Sequence, residues 1–183
     1  MSDTVLILGA SGLVGGAALD EFLDAGWNVI AVSRRKPDST SGRSFRHIAV
    51  DLRDADACRE AFSALTNVTH VVYAAVYEKP GLVAGWSERD QMQTNRAMLD
   101  NLLQPLAAAA RNLRHVTLLQ GTKAYGIHLH PMPIPARARS RRATTTRIFT
   151  GCRRICCARA PMPAALRIRF CVPSSSWAAR LAW

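Results

Sequence analysis

Short apolar runs recur along the first 120 residues: Val5-Leu6-Ile7-Leu8, Asn28-Val29-Ile30-Ala31-Val32, Ile48-Ala49-Val50, His70-Val71-Val72-Tyr73-Ala74-Ala75 and Val116-Thr117-Leu118-Leu119. Their near-continuous apolar character predicts strands covered on both faces. The segments between them have a different period. Leu19, Phe22 and Leu23 fall on one face of a predicted helix that Gly26 ends. Asp54 is an expected N-cap for a helix running to about Leu65, and a long helix is expected from about Glu88 to Arg111. Residues 34–44 read as a polar loop containing Ser and Gly. Strands alternating with helices predict an α/β fold with a parallel sheet of about five strands and helices on both faces. In such sheets ligands bind beyond the carboxyl ends of the strands.

The first strand runs directly into Gly9-Ala10-Ser11-Gly12-Leu13-Val14-Gly15, a G-x-x-G-x-x-G spacing that opens the first helix. Glycine permits the tight turn and lets a pyrophosphate approach the backbone. The N–H groups and dipole at the helix start favour phosphate, and the Ser11 hydroxyl adds a donor. Strand, loop and helix together predict a Rossmann-like, doubly wound dinucleotide-binding domain over residues 1–135, with Gly9, Ser11, Gly12, Leu13, Val14 and Gly15 on the cofactor. At the end of the second strand an NAD site usually carries Asp or Glu. Here the residues are Ser33, Arg34 and Arg35, a hydroxyl and two guanidinium groups suited to a 2′-phosphate. NADP(H) is therefore the expected cofactor. Asp51 and Leu52 follow the third strand. Asp51 either accepts from the adenine amino group or caps its own turn. Ala74 and Ala75 close the fourth strand on the cofactor side. Asn95, in the long helix, is expected to be a solvated polar residue rather than a buried brace.

These residues, with Gly121-Thr122-Lys123-Ala124-Tyr125-Gly126 after the fifth strand, resemble the extended and atypical short-chain dehydrogenases/reductases. Within them the likeness is to the progesterone 5β-reductase/iridoid synthase-like group, and it covers residues 4–135. The resemblance implies NADPH-dependent reduction of the C=C bond of an enone. Hydride goes to the β-carbon and a Tyr hydroxyl stabilises the enolate. It gives Lys123 the role of the motif lysine, the single catalytic residue it assigns here, and makes Tyr125 a packing residue. Two other readings stay open: a non-catalytic NAD(P)-binding regulator, and an NAD-dependent sugar-nucleotide epimerase or dehydratase.

Charge divides the chain near Pro135. The net +11 would suggest nucleic acid or a membrane surface. Residues 1–135, however, hold 13 Lys+Arg and 13 Asp+Glu, while residues 136–183 hold 11 Arg, no Lys and no acid. The domain is thus formally neutral, and its expected partner is a small-molecule substrate rather than nucleic acid or membrane. Met1-Ser2-Asp3-Thr4 lacks the basic region of a signal peptide, and a cytoplasmic location is the expectation. Cys152, Cys156 and Cys157 have no His nearby and do not form a zinc module, so no metal site is expected. Arg137-Ala138-Arg139-Ser140-Arg141-Arg142 would suit a phosphate-binding arm.

A different origin fits the tail better. It contains no Tyr, although the family's enolate-stabilising Tyr should fall there. The codons allowed for residues 145–153, read one base earlier, permit His-Pro-Asn-Phe-Tyr-Trp-Leu-Gln, which resembles the family's tyrosine segment. The same frame over residues 170–178 permits Leu-Arg-Pro-Gln-Leu-Val-Val-Gly, which resembles its next strand. The expectation is an out-of-frame, largely disordered segment over residues 136–183, in which Ala164 to Val172 is apolar enough to form some local structure. The sheet is then incomplete on its C-terminal side, without a sixth strand, and the catalytic function is impaired.

Overall fold

The computed structural model describes residues 3–79, 89–119 and 166–171. Strands β1 (Thr4–Leu8), β2 (Asn28–Ser33), β3 (Arg46–Ala49), β4 (His70–Tyr73), β5 (His115–Leu119) and β6 (Arg167–Cys171) form one sheet in the order β3-β2-β1-β4-β5-β6. Every pairing is parallel. The helices are α1 (Leu13–Asp24), α2 (Ala55–Ser63) and α3 (Arg89–Ala109). This is the expected doubly wound arrangement, and the chain reverses its direction of travel across the sheet between β1 and β4.

One difference concerns the tail. Arg167–Cys171 pairs with β5 along its whole length, Leu118 facing Phe170 and Leu119 facing Cys171. A sixth strand is therefore present where none was expected. The physical reason is local: Arg167-Ile168-Arg169-Phe170-Cys171 carries β-branched and aromatic residues and no Gly or Pro, enough to complete a ladder beside an exposed edge. The other tail assignments lie outside the described residues.

Two apolar layers hold the helices to the sheet. Val5, Ile7, Val29 and Ala31 face Leu19 and Leu23 of α1. Leu6, Leu8, Ile30, Val32 and Val71 face the other way, onto Phe62 of α2 and Leu99, Leu102, Leu103 and Leu106 of α3. Each strand of the central pair thus buries both faces, which is why its sequence shows no alternation. Helix ends follow the local chemistry. Asp54 accepts from the backbone N–H groups of Asp56 and Ala57 at 3.1 and 3.0 Å and starts α2. Gly26, at φ +78°, turns the chain out of α1. Among the described residues no helix is long and apolar enough to cross a membrane.

Candidate functional site

The glycine loop folds back on itself. Gly9 has φ +78°, and its N–H and that of Ala10 both reach the Val32 carbonyl, at 2.9 and 3.2 Å. The Gly12 N–H returns to the Gly9 carbonyl at 2.9 Å. A Cβ on Gly15 would stand 2.1 Å from the Gly9 oxygen, and a Cβ on Gly9 would meet the backbone of Ala74 and Ala75 at 2.8–2.9 Å. These glycines are required by packing before any ligand is considered. Helix α1 then begins at Gly12 with no side-chain cap and no acid in its first turn, and its first internal bond is Gly16 N–H to Gly12 O at 2.7 Å. The N–H groups of Leu13, Val14 and Gly15 precede that bond and have no partner within the helix. The Leu13 side chain is 71% exposed.

At the end of β2, Ser33 is buried and its hydroxyl donates to the Arg35 carbonyl at 2.6 Å. Its hydrogen is directed to the backbone in this arrangement. The His47 ring of β3 stands 3.2 Å from both the Ser33 hydroxyl and the Ser33 carbonyl. Further on, Ser39 and Thr40 clasp Asp20 of α1. The two hydroxyls donate to its carboxylate at 2.6 and 2.7 Å, and the Thr40 N–H does so at 3.1 Å. Burial raises the Asp20 pKa, but these hydrogen bonds outweigh it and hold the carboxyl below its ordinary value.

Asp51 caps its own turn, the second of its two expected roles. It accepts from the Arg53 backbone N–H at 3.0 Å, and the Arg53 guanidinium grips both carboxylate oxygens, Nη2 at 2.6 Å and Nε at 3.1 Å. The Arg53 hydrogen bond, helped by its backbone N–H and by the charges of Arg53 and Arg34, brings the Asp51 carboxyl down to about 2 against a smaller opposing effect of burial. The same guanidinium lies over the Tyr77 ring, 5.6 Å from its centroid, and so bridges the loops after β3 and β4.

Helix α3 fixes both loops from below. Asn95 is fully buried, contrary to the solvated position expected of it. Its Oδ1 accepts from Tyr77 N–H at 2.9 Å, and its Nδ2 donates to the Tyr77 and Gln91 carbonyls at 2.7 and 3.0 Å. An amide with these three bonds is satisfied without water, which is why the core accepts it. Asn101 donates to the Leu52 carbonyl at 2.9 Å.

These loops enclose a cleft of about 370 Å³ at the carboxyl ends of β1 to β4. Gly9, Ser11, Gly12, Ser33, Arg34, Asp51, Leu52, Ala74 and Ala75 all line it, so nine of the expected residues meet there. Leu13, Val14, Gly15 and Arg35 do not line it. The first three form the adjoining helix start, and Arg35 is exposed on the turn beside it. Arg53, Tyr77 and Met98 line the cleft without having been singled out in sequence. Lys123 and Tyr125 lie outside the described residues.

The model of the NAD dependent epimerase/dehydratase family matches residues 5–147. The chain belongs to that family. Among curated proteins it is 36% identical over 126 residues to the 3-oxo-Delta(4,5)-steroid 5-beta-reductase of Arabidopsis thaliana, an alignment covering 66% of this chain and 31% of that one. It is 30% identical over 127 residues to the (S)-8-oxocitronellyl enol synthase of Catharanthus roseus, covering 66% and 30%. The chain thus spans about a third of the length of these relatives. Among solved structures, UDP-glucose 4-epimerase superposes with a TM-score of 0.68 at 17% identity, covering 92% of this chain and 50% of that one. WbmH of Bordetella bronchiseptica, in complex with NAD+, gives 0.67 at 16% identity, covering 93% and 55%. These likenesses establish the Rossmann-like fold.

The Asp51–Arg53 pair carries a pH signature. The Asp51 pKa is depressed, so the pair's contribution to stability is fully present above the ordinary value of 3.8 and is lost as pH falls towards about 2. Both side chains are partly exposed, so solvent screening keeps that contribution small. In urea unfolding, Asp51→Asn is expected to be slightly less stable than the parent near neutrality. The gap should close only in that acid window. A gap that persists unchanged through it would contradict the pairing.

Proposed function

We propose that the cleft binds NADP(H) and that the domain is the cofactor-binding half of a reductase acting on an activated C=C bond. The observation that carries this reading is the combination of an uncapped α1 start with Arg34 on the cleft wall. The helix start supplies donors and positive potential for a pyrophosphate. Arg34 supplies charge where the adenosine ribose would lie, and the Asp51 carboxylate, which lines the same cleft, is held by Arg53. A bound NADPH supplies a hydride. The chain's own residues bind and orient it: Gly9, Ser11, Gly12, Leu13, Val14 and Gly15 at the pyrophosphate, and Arg34 and Arg35 at the 2′-phosphate. Leu52 lies at the adenine, beside Asp51 in its own capped turn, and Ala74 and Ala75 line the approach to the nicotinamide. Lys123 holds the nicotinamide ribose or, in the restored chain, lowers the pKa of the reacting phenol. The reductase reading rests on the Arabidopsis and Catharanthus relatives. The family's description favours a second reading, an NAD+-dependent sugar-nucleotide epimerase or dehydratase, against which the basic turn at Arg34 and Arg35 speaks.

The composition of residues 136–183 supports an out-of-frame origin for the tail, as a result of which the restored chain, not this one, carries the enolate-stabilising Tyr. Independent sequencing of codons 125–183 tests this directly. An open frame one base earlier, running on through the tyrosine segment, is expected. Stop codons in that frame would defeat it, and with it the catalytic assignment of Lys123.

Cofactor choice is tested by fluorescence titration of the chain with NADPH and NADH. NADPH is expected to bind at least tenfold more tightly, and Arg34→Ala with Arg35→Ala to remove the difference. Equal affinities in the unaltered protein would overturn the NADP(H) assignment.

A further inference from the structure

The sheet stops supporting β2 at Ser33. Its partner there is Ala49, the last residue of β3, and the ladder has no rung beyond that pair. The two arginines follow at once, on a turn whose backbone the sheet does not hold. Polar bonds at Ser33 help to fix it. The Ser33 hydroxyl spans the turn to the Arg35 carbonyl at 2.6 Å. The His47 ring reaches forward from its place beside Ala31, along the same face of the sheet, and brings Nε2 to 3.2 Å from both the Ser33 carbonyl and the Ser33 hydroxyl.

The hydrogen positions follow from the acceptors. A carbonyl oxygen can only accept, so Nε2 carries the hydrogen and donates towards Ser33. The Ser33 hydroxyl has one hydrogen, and the Arg35 carbonyl takes it. The hydroxyl oxygen therefore receives from His47 and gives to Arg35. This directional chain runs from β3 through Ser33 to the turn, and its half-buried position shields it from competing water. Arg34 lines the cleft and Arg35 is exposed beside it. A guanidinium recognises phosphate through paired, directional bonds, so its value depends on how firmly its backbone is placed.

We propose that His47 is a positioning residue for cofactor selection: through Ser33 it holds the Arg34–Arg35 turn in register for a 2′-phosphate, without touching the cofactor itself. The proposal rests on the NADP(H) reading above. It predicts a selective effect, because NADH has no group at the 2′ position for the turn to meet.

The test compares NADPH and NADH dissociation constants for the full chain, His47→Leu and His47→Gln, with melting temperatures recorded alongside. His47→Leu should weaken NADPH at least fivefold and leave NADH within twofold. His47→Gln places an amide N–H near the position of Nε2 and should restore most of the NADPH affinity. Should His47→Leu fail to fold, Ser33→Ala breaks the same chain at its next link and should show the same selective loss. Equal weakening of both cofactors would mean a structural role only, and an unchanged NADPH constant would mean no role; either overturns the proposal while the NADP(H) reading stands. No NADPH preference in the parent chain would instead overturn that reading, and the proposal with it.

Discussion

A methyl group on Gly15 would lie 2.1 Å from the Gly9 carbonyl oxygen, and one on Gly9 would lie within 3 Å of the Ala75 backbone. This mutual backbone approach, at the point where the chain reverses direction across the sheet, sets the geometry around it. It seats α1 directly over β1 and brings the carboxyl ends of β1 and β4 together. It also aims the open start of α1 along the cleft that opens between them. Without the glycines α1 would have to lift away, and the donors at its first turn would leave the cleft. Packing therefore requires Gly9 and Gly15 before any ligand does, and their presence speaks first to the fold.

The rest of the cleft depends on polar groups that fix loops rather than meet a ligand. Asn95 and Asn101 reach up from α3 to the backbones of Tyr77 and Leu52. Arg53 ties the loop after β3 to the one after β4 and occupies Asp51, so that the carboxylate does not oppose Arg34. Ser33 and His47 do the same for the turn after β2. Where such a network is buried, as at Asn95, it is costly when broken and rigid when satisfied, as a preorganised binding surface requires.

The chain of strands and helices was legible because its signals are local. Continuous apolar runs marked β1 and β2, Asp54 marked the start of α2, and Gly26 marked the end of α1. The glycine spacing placed one wall of the cleft, at Gly9, Ser11 and Gly12. Residues whose role depends on a distant partner were not legible. Asn95 looks like any polar residue on a helix until Tyr77 is brought beside it, 18 positions away in sequence. His47 gains meaning only when β3 pairs with β2. Arg53 carried the one missed signal, a base two residues after an acid at a strand end. The sixth strand was missed because the tail's composition argued against order, whereas five residues of suitable β character suffice beside an open edge.

Backbone amide resonances followed during a titration with NADPH test the central claim most directly. The account predicts saturable shifts concentrated at Gly12, Leu13 and Val14, with Arg34 and Leu52 moving in step at the other end of the cleft. Shifts absent from the glycine loop at saturating NADPH, or confined to surfaces away from the carboxyl ends of β1 and β4, would contradict it.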